Sequence, residues 1–207
     1  MAQYFVINAD NPQPRLIKQA VEILENGGIV AYPTDSSYAL GCALGHKDAQ
    51  DAIRRVRSVD DSHLFTLMCR NLSELSIYAK VNNAQFRLLK ANTPGPYTFI
   101  LEASREVPRR LQHAKRSTIG LRVPQHAVVQ ALLEALGAPL LSMTLQLPDD
   151  ELPMSIAWEI RERLEHQIDL VIDSDTPQIG ETTVVDLTGE SPEILRQGIG
   201  NIEMLGI

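Results

Sequence analysis

The sequence predicts a mixed α/β (α+β) fold, a sheet with helices packed on it. Two observations carry that expectation. Short β-prone apolar runs alternate with amphipathic helical segments along the whole chain, an order that layers helices on a sheet. The last three strand-like runs follow one another without a helix, which makes the sheet mixed.

Tyr4 to Ile7 reads as the first strand, and Asn11-Pro12 turns the chain into a helix over about 15–25. There Leu16, Ile17, Ala20, Val21, Ile23 and Leu24 form one wide apolar face. Asn26-Gly27-Gly28 stops it, and 28–32 is an apolar strand ended by Pro33. A helix follows over 48–57, with Asp48 and Asp51 early and arginines at its end, matching the macrodipole. The pattern then gives a strand over 64–69 and helices over 72–79 and 84–91, opened by Asn or Ser caps. Strands at 97–101 and 118–123 precede a helix over 126–136 that ends at Gly137. A strand at 139–145, a Ser155-capped helix over 155–166, and strands at 169–172, 182–187 and 193–196 complete the chain. No repeat, low-complexity tract or linker interrupts it, so residues 1–207 are expected to form a single domain.

Hydrophobic content of 44% and charged content of 22% are ordinary for a globular chain. No apolar run approaches the roughly 18 residues of a membrane span, and the N-terminus lacks a signal-peptide pattern. A cytoplasmic protein without membrane association is expected. Cys42 and Cys69, far apart in apolar stretches, read as buried, reduced and inert. The five histidines form no zinc pattern, so no metal site is predicted. The net charge of −7 argues against a generally basic nucleic-acid coat. Two basic tracts stand out locally: Arg54, Arg55 and Arg57, then Arg105, Arg109, Arg110, Lys115, Arg116 and Arg122. Each reads as a solvated face or as one wall of a basic groove.

Four strand ends combine small polar or cationic residues with glycine and proline, a pattern that suits a pocket floor. Tyr32 to Cys42 offers the hydroxyls of Thr34, Ser36 and Ser37, with Tyr38 as a lining ring; its plain alternative is a turn. Arg55-Val56-Arg57 forms a phosphate clamp if the helix ends there, because residues two apart on a regular helix face different ways. Otherwise these are surface arginines. Arg122, between strand apolars, needs an anionic partner to be buried. Ser142 and Thr144 share one strand face and suit either phosphate or ribose, or simple packing. Asp186 and Arg196 are expected to pair with each other as a structural bridge, next to Thr182. No P-loop, glycine-rich nucleotide turn or GxSxG motif is present, so no catalytic nucleophile is assigned.

In this order, GIVAYPTDSSYAL (28–40), Arg55-Val56-Arg57, Pro94 to Thr98, TIGLRVP (118–124), Leu141 to Thr144 and Thr182 to Leu187 with Arg196 resemble the YrdC/YciO family of threonylcarbamoyl-AMP synthase-like proteins. The details PTDSSYALGC, FTLMC and PYTFIL are most similar to its YciO branch. The resemblance implies a twisted open sheet with a concave, positively charged cavity. It implies a nucleotidyltransferase joining L-threonine, bicarbonate and ATP, with Mg²⁺, into threonylcarbamoyl-adenylate and pyrophosphate, linked to tRNA modification. Carried over by position, Arg55, Arg57, Ser142, Thr144, Thr182 and Arg196 would bind the nucleotide; Thr34, Tyr38 and Arg122 would bind the amino acid or carbamate. Arg55 replaces the family's lysine, Ser58 its proline, and Thr144 the asparagine of its Ser-x-Asn. ATP or AMP binding is expected to survive these departures better than full synthase activity. The alternatives are a catalytically silent ATP- or AMP-binding paralogue, and a module binding tRNA or double-stranded RNA.

Overall fold

The computed structural model describes residues 1–174 and 180–206. Its elements in chain order are β1 (Gln3–Val6), α1 (Pro14–Glu25), β2 (Val30–Pro33), β3 (Tyr38–Ala43), α2 (Lys47–Arg57), β4 (Thr66–Met68), α3 (Leu72–Tyr78), α4 (Asn83–Asn92), β5 (Tyr97–Glu102), β6 (Thr118–Arg122), α5 (Ala127–Leu136), β7 (Leu140–Thr144), α6 (Ala157–Leu164), β8 (Leu170–Asp173), β9 (Thr183–Asp186) and β10 (Glu193–Arg196). The strands form one mixed sheet in the order β1-β8-β2-β3-β7-β4-β6-β5-β9-β10. The predicted α/β class is therefore the observed one.

Local chemistry explains the helix ends. Asn71 and Asn82 cap α3 and α4 by accepting from the amides of Glu74 and Gln85, each at 2.9 Å, and such caps contribute about 1 kcal/mol. Gln85 closes a capping box by accepting from Asn82 N at 2.8 Å. Gly137 ends α5 in the left-handed region, φ 68°. The expected Ser155 cap is not formed: α6 starts two residues later, after Ile156, with no side-chain cap.

Tyr38 to Ala43, which carried no strand expectation, form β3 and pair with β2 as a hairpin. All six residues are buried, so period-two alternation could not mark them. Of the closing strands β9 and β10 pair with each other, but β8 is not their neighbour. β8 joins β1 and β2 in parallel, whereas β9 pairs with β5 at the far side of the sheet.

Two apolar clusters hold the layers. The smaller packs α1 (Ile17, Ala20, Val21, Leu24) and α5 (Val128, Val129, Leu132, Leu133) on Val30, Tyr32, Ala39, Leu140 and Leu170. The larger fills the other face, under α2, α3, α4 and α6, with Leu40, Ile53, Leu67, Leu75, Leu89, Phe99, Leu121 and Ile160. Cys42 and Cys69 are buried and free; burial pushes the Cys42 thiol up to about 12 and raises that of Cys69 further. Among the described residues, no helix is long and apolar enough to cross a membrane.

Candidate functional site

Strand register builds the site. It sets Ser142 beside Thr66, Thr66 beside Gly120, and Gly120 beside Ile100, with Thr98 beside Val184 one step along. Alternate residues on these five strands, among them hydroxyls, a glycine, aliphatics, Met68 and the Arg122 guanidinium, thus line one cavity of about 250 Å³. The intervening residues, Leu67, Phe99, Leu101, Ile119, Leu121, Leu141 and Val185, enter the larger core. On the lined face the apolar packing of α1 and α5 reaches no further than Met68 and Leu140. The cavity floor is the sheet face beyond that limit.

Loops and helix ends raise the walls. The β2–β3 turn folds around Thr34, whose hydroxyl donates to Ser37 O at 2.6 Å and accepts from the amides of Ser36 and Ser37 at 3.1 and 3.3 Å. Arg122, at the end of β6 and only 5% exposed, reaches this turn. Its Nη2 donates to the Asp35 carboxylate, to Ser36 Oγ at 3.1 Å and to Thr34 Oγ1 at 3.4 Å. Asp35 also accepts from Gln125 N at 3.0 Å. Arg122 Nε is buried without a partner.

Arg57, the last residue of α2, donates through Nη1 to the Gln146 carbonyl, and its Nε is likewise buried and unpartnered. Burial lowers its pKa, opposed by Glu181. Arg196 donates to Glu181 Oε1 at 2.6 Å and twice to Thr182 O, at 3.2 and 3.1 Å. Thr182 Oγ1 lies 2.9 Å from Thr98 Oγ1. Tyr32 Oη donates to Ser142 Oγ at 2.8 Å. Tyr38 donates to Ile172 O at 3.0 Å, so its hydroxyl is engaged by the backbone; burial raises both phenols.

Thr34, Tyr38, Arg57, Arg122, Ser142, Thr144, Thr182 and Arg196 therefore line one cavity. Arg55 does not. Helix α2 stays regular to Arg57 and turns at Ser58, φ 51°, so Arg55 faces solvent beside Lys47, Arg54 and Arg110 in an outer groove. Two residues on a helix are about 200° apart, and that separates the two arginines. The expected Asp186–Arg196 bridge is also absent. β10 runs antiparallel to β9, putting Glu193 opposite Asp186 and Arg196 opposite Val184. Asp186 pairs with Arg116 at 2.9 Å, and Arg196 with Glu181. Burial alone would raise Asp186, but hydrogen bonds from Thr188 and Arg116 outweigh it and hold the carboxyl below its usual range.

Several lining residues were not assigned to the site from the sequence: His63, Thr66, Thr98, His113, Gly120 and Glu181, while Arg116 was read only as part of a basic tract. Thr66, Thr98 and Gly120 carried a legible signal, small or hydroxyl residues alternating with large apolars. His63, His113 and Glu181 come from loops and carried none. Among the described residues, no three His, Cys, Asp or Glu side chains are grouped to hold a metal ion.

A mixed sheet with an arginine- and hydroxyl-lined cavity on one half of one face defines the class, a mixed α/β protein with a polar cavity on its sheet. The Sua5, YciO and YrdC family model, described as telomere recombination, matches residues 22–198, and the chain belongs to that family. YciO of Escherichia coli (strain K12) is 55% identical over 203 residues, covering 98% of each chain. Its crystal structure matches with a TM-score of 0.95 at 54% identity, over 99% of this chain and 100% of that one. A relative from Haemophilus influenzae is 57% identical over 202 residues, 97% of this chain and 98% of its own. The crystal structure of P. abyssi Sua5 complexed with L-threonine matches with a TM-score of 0.86 at 25% identity, covering 94% of this chain and 57% of that one.

Proposed function

We propose that the cavity binds ATP and an amino acid, and that the chain is an adenylate-forming enzyme of the threonylcarbamoyl-AMP synthase type. The observation that carries this reading is the convergence of four guanidiniums, Arg57, Arg116, Arg122 and Arg196, with strand hydroxyls in one cavity. Guanidinium forks suit phosphate and carboxylate oxygens. The L-threonine bound to P. abyssi Sua5 supports an amino acid as the second ligand.

In this reading threonine's amine combines with bicarbonate to give a carbamate and water. A carbamate oxygen then attacks the α-phosphorus of ATP, and the bond to the departing pyrophosphate breaks. The adenylate would supply a tRNA modification. The protein aligns the reactants and neutralises charge, so it needs no nucleophile of its own. Arg122 meets the carboxylate or carbamate through its free Nε edge, beside Thr34. Arg57 and Arg196, with Ser142, Thr144 and Thr182, hold the nucleotide. The described residues fit no protein-held metal, so Mg²⁺ would be carried by the phosphates of ATP.

The test is mass spectrometry of products from purified protein with ATP, Mg²⁺, bicarbonate and L-threonine, omitting threonine and bicarbonate in turn. Threonylcarbamoyl-adenylate formed only in the complete mixture is the expected result. ATP binding without product would reduce the protein to a catalytically silent nucleotide binder, and neither binding nor product would overturn the reading.

A further inference from the structure

His63 lies in the loop between α2 and β4, at the cavity mouth, with its outer side exposed to solvent. It is a titratable lining residue to which the proposed reaction assigns no role. The charges of Arg57 and Arg54 reach it from α2, that of Asp60 from its own loop and that of Arg196 from β10. Glu181 pairs with Arg196 beside it, and His113, Arg116 and Arg122 line the same cavity. Asp60 opposes this positive field, and carboxylates pair with most of its members: Asp51 and Asp61 with Arg54, Asp186 with Arg116, Asp35 with Arg122 and Glu181 with Arg196, while Arg57 has no carboxylate partner among the described residues. Partial removal from water, followed by the charge of Arg57, holds the imidazole below its ordinary range, so it is neutral near pH 7.

A polyphosphate held between Arg57 and Arg196 would reverse that field. We propose that His63 is a phosphate-binding residue of this cavity that takes a proton from solvent when a polyphosphate enters. The neutral imidazole plus a solvent proton becomes an imidazolium, which donates a charge-assisted hydrogen bond to a phosphate oxygen. A permanent cation here would repel the neighbouring arginines whenever no phosphate is bound, a cost that histidine avoids. This inference rests on the nucleotide reading and adds to it a coupling between binding and protons. Because the bound form holds more protons than the free one, affinity must fall as pH rises.

The experiment is calorimetric titration of the full chain with MgATP, in two buffers of different ionisation enthalpy, for wild type, His63→Gln and His63→Lys. Protons exchanged by ATP itself are common to all three and cancel. Wild type is expected to take up part of a proton that both variants lack. Relative to both variants, its affinity should fall several-fold from about pH 6.5 to about pH 8.5. At the lower pH His63→Gln should bind about tenfold more weakly than wild type, the scale of one charge-assisted hydrogen bond. Equal proton uptake in wild type and His63→Gln, with ATP bound by both, would overturn the role of His63 and leave the nucleotide site standing. No ATP binding by wild type would overturn both.

Discussion

Replacing Arg122 with methionine tests the most buried charge in the cavity. The side chains of Arg122 and Asp35 are 6% and 11% exposed, and a single guanidinium nitrogen serves Asp35, Ser36 and Thr34. Methionine fills similar space but leaves the Asp35 carboxylate with one recorded donor, Gln125 N. Breaking a buried ion pair by removing one partner costs about 3–5 kcal/mol. With that amide retained and the cavity wall open to water, the lower end applies, about 3 kcal/mol. For a domain of this size that lowers Tm by roughly 6–12 °C. The assay is urea unfolding, with the midpoint shift read at constant slope. Arg122→Met combined with Asp35→Leu should recover at least half of the loss, because no charge is then stranded. A single variant within about 1 kcal/mol of wild type, or a double variant no more stable than the single, would refute the view that this pair holds the β2–β3 turn over the site.

Three further outcomes follow from the geometry. Arg57→Ala and Arg196→Ala should each weaken ATP binding by about 1–3 kcal/mol, whereas Arg55→Ala should change it by less than about 0.5 kcal/mol; equal losses by calorimetry would contradict the outward placement of Arg55. Asp186 has a folded-state pKa below its ordinary value, so it stabilises the fold above the unfolded pKa and loses that contribution as pH falls through the folded one. The stability gap between wild type and Asp186→Asn should be full above about pH 5 and shrink below about pH 4; a gap unchanged down to about pH 3 in urea titrations would reject this. A Cβ on Gly41 would lie 2.6 Å from the fully buried Tyr32 ring. Gly41→Ala should therefore cost about 1–3 kcal/mol and, by moving Tyr32 Oη off Ser142, weaken ATP binding; a variant as stable as wild type would show that the ring gives way freely.

Much of the architecture was legible in residue order. The wide apolar face of α1, the caps Asn71 and Asn82 and the stop at Gly137 are local effects, set by neighbours within a turn or two. So is the alternation in Thr98-Phe99-Ile100-Leu101 and Thr118-Ile119-Gly120-Leu121-Arg122, which separates a core face from a polar one before any partner strand is known. The motifs that place the chain in its family are equally properties of the sequence. What residue order could not supply was long-range pairing. It left β3 unmarked, because a strand buried on both faces has no period to read. It pointed Asp186 at Arg196, ten residues away, where antiparallel register sends each to a different partner. It kept Arg55 with Arg57, although two residues along the regular helix α2 are about 200° apart, which puts them in different grooves. His63, Glu181 and Arg116 meet around the cavity only because the sheet brings the β4, β9 and β6 ends together. Charge and hydroxyl content belong to the sequence; which of these groups share one cavity was decided by strand order, because proximity across a sheet depends on register and not on distance along the chain.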